Sequence, residues 1–116
     1  MPRKRSAAYG DQHEAILAAA AALFASKGYT ATTMNQVAAA CGVSKPTLYH
    51  YVQDKHALLA QISASHVARL QALVREVEER RLAPELHLRA LIERFTAAYA
   101  SAQNEHRVLT EDMKFL

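Results

Sequence analysis

The chain has 116 residues, 51% of them hydrophobic, with 14 Lys+Arg against 11 Asp+Glu. That length suits one small domain or a piece of a larger protein, and it excludes a large two-domain enzyme. No apolar run approaches the roughly 18 residues that a membrane span requires, and the basic start Arg3, Lys4, Arg5 is not followed by the apolar stretch of a signal peptide, so the chain reads as cytoplasmic with no membrane partner. A single cysteine, Cys41, can form neither an internal disulfide nor a Cys-rich zinc site, which agrees with a reducing compartment. The charge is unevenly placed: residues 1–56 hold six cations and three anions, and the rest hold eight of each. A polyanionic partner for the first half is one reading of that excess, and a solvated face is the other.

Residues 1–9 carry three adjacent cations and no apolar pattern, and read as a flexible basic arm. From Asp11 to Lys27 the residues Ile16, Leu17, Ala20, Leu23 and Phe24 recur at three and four, the stripe of an amphipathic helix that Gly28 can stop. Thr33, Met34, Asn35 and Gln36 have the form of a capping box, which predicts a short helix ending near Cys41, before Gly42. Ser44 offers the next N-cap, with Pro46 in the first turn, where its missing N–H breaks no helix bond; a third helix then covers 45–51. Asp54 is a third N-cap candidate, and after it a helical period runs from Leu58 to Val77, about seven turns. Pro84 can open a fifth helix with the stripe Leu86, Leu88, Leu91, Ile92, Phe95 and Tyr99, and residues 104–116 begin a sixth. Nothing alternates as a strand does, so the fold class is all-α.

The stretch from Thr32 to Lys55 carries the chemistry. Two short helices that meet across a tight turn must bury their facing sides, which restricts where apolar, small and glycine residues can sit. Val37 and Cys41 face inward from the first, Ala38 is small at the closest approach, Gly42 serves the turn, Val43 fills the corner, and Leu48 with Tyr51 face back. This is the requirement of a helix-turn-helix, whose second helix lies in the DNA major groove while the first crosses the backbone. Its outward side offers Ser44, Lys45, Thr47 and His50, with Tyr49 at the edge, groups suited to phosphates, base edges and the thymine methyl.

The block GVSKPTLYHYVQDKHALL, preceded by ATTMNQVAAA and by a helix ending LFASKGY, resembles the N-terminal domain of TetR/AcrR-type transcriptional regulators. The likeness is close over residues 11–62 and weaker through helices that match the family's fourth to sixth. It implies an all-helical homodimer that binds a palindromic operator, usually as a repressor, and leaves it when a small-molecule effector enters the C-terminal domain. Carried over residue by residue, it implies that Thr33 contacts a phosphate and that Lys45, Pro46, Thr47 and His50 face bases. Tyr49 and Tyr51 reach flanking phosphates, and Lys55 holds the DNA backbone from the start of the fourth helix. Met34 stands where some members have a base-reading arginine, so Lys45 takes more of the readout, without arginine's planar fork. Family members usually continue well beyond this length, which suggests a DNA-reading domain over 10–55 joined to the first part of an incomplete regulatory domain over 56–116.

The remaining residues divide between functional and structural readings. Arg3, Lys4 and Arg5 suit a minor groove or a merely solubilising tail. Leu88, Leu91, Ile92, Phe95 and Tyr99 suit one wall of an effector pocket, although such a stripe is more often core. Cys41 reads as a small core residue rather than a redox sensor. The six histidines, at 13, 50, 56, 66, 87 and 106, show no metal-ligand spacing and read as chance scatter. No catalytic set and no phosphate-binding glycine loop is present, so the chain reads as neither an enzyme nor a cofactor carrier. A DNA-binding transcriptional regulator is the leading reading, and a helical protein-interaction module without DNA binding is the alternative.

Overall fold

The computed structural model describes the backbone of residues 2–116 and the side chains from residue 8 onward. The described residues form six α-helices and a closing 3-10 turn: α1 (Pro2–Lys27), α2 (Met34–Cys41), α3 (Lys45–Tyr51), α4 (Lys55–Glu79), α5 (Pro84–Ser101), α6 (Gln103–Asp112) and the turn Met113–Phe115. No strand occurs among them.

The caps read from the sequence are in place. Thr33 Oγ1 accepts the Gln36 N–H at 3.2 Å while Gln36 Oε1 accepts the Thr33 N–H at 2.9 Å, closing the capping box. Ser44 Oγ accepts the Thr47 N–H at 3.2 Å, and Asp54 Oδ1 accepts that of Ala57 at 2.7 Å. Each cap satisfies a helix N–H that has no partner within its own helix. Gly42 ends α2 at φ 68°, a left-handed conformation that a residue with a Cβ adopts only at a cost.

The start of α1 corrects the expected arm. The helix begins at Pro2 rather than near Asp11, so the backbone of residues 2–9 is helical, while the side chains of Arg3, Lys4 and Arg5 lie outside the described residues. Proline fits a first helical position, and Arg, Lys and Ala are good helix formers. Gly10, inside the helix, costs only about 1 kcal/mol relative to alanine. Tyr9 also gives this extension something to pack on, because its ring stacks on Tyr51 of α3 with 4.6 Å between centroids.

The main core joins Ile16, Ala20 and Phe24 of α1 to Val37 and Ala38 of α2, Leu48 of α3, and Leu58, Leu59 and Ile62 of α4. Val108 of α6 enters the same core, fully buried. It therefore runs across residue 55, and the first two turns of α4 pack together with α1, α2 and α3. Farther along, α4 and α5 bury little more than Leu73, Val77 and Ala90. The radius of gyration is 16.5 Å, against about 13 Å for a compact domain of this length. That elongation leaves Leu86, Leu88, Ile92 and Tyr99 of α5 more than half exposed.

Candidate nucleic-acid interface

The α2–α3 turn is built from backbone constraints. The Val43 N–H bonds Ala38 O at 3.1 Å, and the left-handed Gly42 turns the chain so that Ser44 can cap α3. Leu48, with no exposed surface, fixes α3 against α2 and α1, and the helix therefore has one inner and one outer face. Ser44, Lys45, Pro46, Thr47, Tyr49 and His50 all lie on the exposed side. Among the described residues Lys45 forms no ion pair, and Ser44 Oγ donates to Thr47 Oγ1 at 2.8 Å, so these two hydroxyls act as one polar unit. From Ala15 to Gln53 the sequence contains no carboxylate. A phosphate approaching α3 itself therefore meets only neutral and cationic side chains of that helix, and exposed Asp54 follows three residues after its end.

Three residues depart from their expected surroundings. Lys55, assigned to the DNA backbone, turns its ammonium into the α1–α2 loop, donating to Tyr29 O at 2.8 Å and Thr32 O at 3.1 Å and lying 4.3 Å from the centroid of the Tyr29 ring. The loop's carbonyls have no helix to pair with, and a cation answers two of them. Tyr51 is half-buried, with Tyr9 stacked on it and His13 6.2 Å away, centroid to centroid. Met34 is buried in the core. Its place is therefore unsuited to base contact in this chain.

Tyr9 was not singled out from the sequence, because a single tyrosine before an alanine-rich helix carries no periodic signal. It lies 6.2 Å from His50 in an edge-on arrangement, and the neighbouring His13 Nε2 is 2.7 Å from Gln61 Oε1 of α4. Through these contacts α1 holds the C-terminal end of the outer face of α3 and ties it to α4. Thr33 is exposed at the start of α2, where its hydroxyl already accepts one helix N–H and keeps its own proton to donate. Cys41 is half-buried, and burial raises its thiol pKa, which favours the unreactive protonated form.

A second feature lies away from α3. Between α4, α5 and α6 is a cavity of about 400 Å³ lined by His66, Leu70, Phe95, Thr96, Tyr99 and His106. An adjoining cavity of about 540 Å³ shares His66 and Leu70 and adds Leu73, Ala98 and Ala102. Phe95 and Tyr99 thus reach a cleft as a pocket wall requires, whereas Leu88, Leu91 and Ile92 line neither cavity. Leu88 and Ile92 point to solvent instead, because α5 turns only part of its apolar stripe toward α4. His66 and His106 sit on different helices, so sequence spacing gave no hint that they meet. Among the described residues no three His, Cys, Asp or Glu side chains gather as a metal site would require.

An all-helical chain with a capped helix-turn-helix and a carboxylate-free outer face defines a helix-turn-helix protein of the nucleic-acid-binding class. Comparison with known proteins narrows this. The family model for bacterial regulatory proteins, tetR family, matches residues 16–62. The HTH-type transcriptional activator FasR of Mycolicibacterium smegmatis is 31% identical over 97 residues, covering 84% of this chain and 44% of that protein. A TetR-family transcriptional regulator from Bordetella parapertussis superimposes with a TM-score of 0.85 at 32% identity, over 90% of this chain and 54% of that one. AibR, in a crystal structure with isovaleryl coenzyme A and operator DNA, matches with a TM-score of 0.77 at 29% identity, over 90% and 57%. The chain belongs to the TetR family of transcriptional regulators. It spans about half the length of these relatives.

Proposed function

We propose that this chain is a cytoplasmic, non-enzymatic regulator of transcription that reads duplex DNA by laying α3 in the major groove, with α2 across the adjoining backbone. The observation that carries this reading is the outer face of α3: Ser44, Lys45, Pro46, Thr47, Tyr49 and His50 are exposed together in a segment free of carboxylates. Lys45 and His50 serve base edges or phosphates, the Ser44–Thr47 pair and Thr33 donate to phosphate oxygens, and Tyr49 reaches the flanking backbone. Tyr51 contributes through its hydroxyl and through its stack on Tyr9. Lys55 keeps one N–H for a phosphate while its other two hold the loop. Arg3, Lys4 and Arg5 add three cations ahead of Tyr9 in the sequence, and they supply sequence-independent attraction to the duplex.

A single α3 spans one half-site, so two copies on an inverted repeat give the affinity that a regulator needs. Occupying a promoter in this way represses when the operator overlaps the polymerase site. A small-molecule effector acts from the half beyond α3. The test is selection from a random duplex library followed by fluorescence anisotropy at several salt concentrations. Enrichment of an inverted repeat, with binding that weakens steeply as salt rises, is the expected result. Equal retention of all sequences at every salt concentration would refute it.

A further inference from the structure

His66 has almost no exposed surface, and neither of its ring nitrogens meets a hydrogen-bond partner. One turn earlier on α4, the Ser63 hydroxyl is also buried without a partner. A buried polar group left in that condition is destabilising, and a ligand atom that pairs with it removes the penalty. The imidazole lines both cavities between α4, α5 and α6, and its edge faces His106, 5.9 Å away, which in turn lies against Tyr99 at 5.2 Å. Leu70, Leu73 and Phe95 make most of the remaining wall apolar. Of the cations lining the larger cavity, Arg94 is paired with Glu76 at 2.7 Å, and Arg69 is exposed to solvent.

We propose that this cleft binds a small, uncharged, largely apolar molecule bearing a hydroxyl or carbonyl oxygen, and that His66 anchors that oxygen. The assignment deepens the effector reading above and rests on it for its regulatory meaning. A cavity of about 400 Å³ is within the range of small-molecule sites, which pair apolar walls with a few convergent polar groups. Two imidazoles without further ligating side chains suit an organic ligand better than a metal ion, which asks for three or four. Burial favours the neutral imidazole, which has one N–H to donate and one nitrogen to accept, so it can serve either oxygen type.

The test compares 2-naphthol with naphthalene, two probes of the same body that differ by one hydroxyl, by equilibrium dialysis against the 116-residue chain. The expected result is about fivefold tighter binding of 2-naphthol, the factor that one net hydrogen bond supplies. His66→Phe should keep naphthalene binding and bring the ratio to about one, while His66→Gln, which retains a donor and an acceptor, should keep part of the preference. Imidazole nitrogen spectra add a direct readout, in which 2-naphthol shifts the His66 signals and leaves those of exposed His56 in place. Equal binding of the two probes, a preference that survives in His66→Phe, or unmoved His66 signals would overturn the proposal. Should His66→Phe fail to fold, His66→Gln and the nitrogen spectra decide. Sequence-selective DNA binding without a 2-naphthol preference refutes the site alone. A 2-naphthol preference in a chain that shows no sequence-selective DNA binding refutes the regulatory reading and leaves the site standing.

Discussion

Two lysines separate reading from holding. Lys45 stands free on the outer face of α3, whereas Lys55 closes the α1–α2 loop through two carbonyls and an aromatic ring. Lys45→Ala should leave the unfolding midpoint unchanged and relax preference at one base step by about 1–3 kcal/mol, measured by anisotropy on selected and singly altered duplexes. Lys55→Ala should instead cost on the order of 1–2 kcal/mol of stability in urea unfolding, since Thr32 O loses this donor and Tyr29 O is left with only the Thr32 N–H, and should weaken all duplexes together. Identical behaviour of the two variants would overturn the division. The outer face of α3 was legible from the sequence because Ser44 marks the start of the helix and apolar Leu48 marks its inner side. The surroundings of Lys55 were not, since its partners lie 23 and 26 residues away and are backbone atoms, which any sequence would supply.

Single helices here are punctuated by caps and left-handed residues whose worth can be measured. Thr33→Ala removes one half of the capping box and should cost about 1 kcal/mol, read as a lower midpoint in thermal unfolding. Gly42→Ala has open space around the new methyl group but must hold φ 68°, so its penalty of about 1 kcal/mol comes from backbone strain rather than from a clash. Between α4 and α5 the left-handed position falls to Arg81, at φ 49°, instead of a glycine. Arg81→Gly should therefore raise the melting temperature by a few degrees, and a decrease would show that the arginine side chain stabilises the turn in another way. Helices α2 and α3 and the start of α4 were legible because their side-chain caps are local, whereas α5 starts at Pro84 without a side-chain cap. The extent of α1 was not, because residues 2–9 lack an apolar stripe and Tyr9 finds its partner only in the folded chain.

At the scale of the molecule, α6 joins the reading head to the longer helices. Val108→Ala should cost on the order of 2 kcal/mol and loosen α1 as well as α6, visible as faster amide exchange in both; loosening confined to α6 would place Val108 outside the shared core. Two buried titrating groups shape the pH dependence. Burial lowers the His66 pKa below 6.5, with Arg69 and His106 acting in the same direction and Glu105 opposing, so the unfolded chain binds the proton first. Stability is therefore full above pH 6.5 and falls as the pH drops from there toward the lower folded value. Asp112 is pushed the other way, raised above 3.8 by burial and then by Glu111, with Lys114 and Arg107 opposing. Its contribution is full below pH 3.8 and fades as the pH rises through the higher folded value. In urea unfolding between pH 5 and 7.5, His66→Phe should flatten the slope below pH 6.5, and a slope unchanged by that variant would assign it elsewhere.

By itself the sequence determined the local decisions: six helices, three side-chain caps, the glycine at the α2–α3 turn and the polar outer face of α3. Each follows from residues within one or two turns of one another, where periodicity and capping chemistry act. The tertiary structure alone decided which distant groups meet. It brought His66 to His106 across 40 residues, set Tyr9 against Tyr51, drew Lys55 into the α1–α2 loop, and turned Leu88 and Ile92 outward while Phe95 and Tyr99 reached the cleft. A helical stripe shows that a face is apolar, but only packing chooses what covers it. The charge excess of the first half gains its meaning in the same way, once folding exposes Lys45 on a helix that carries no carboxylate.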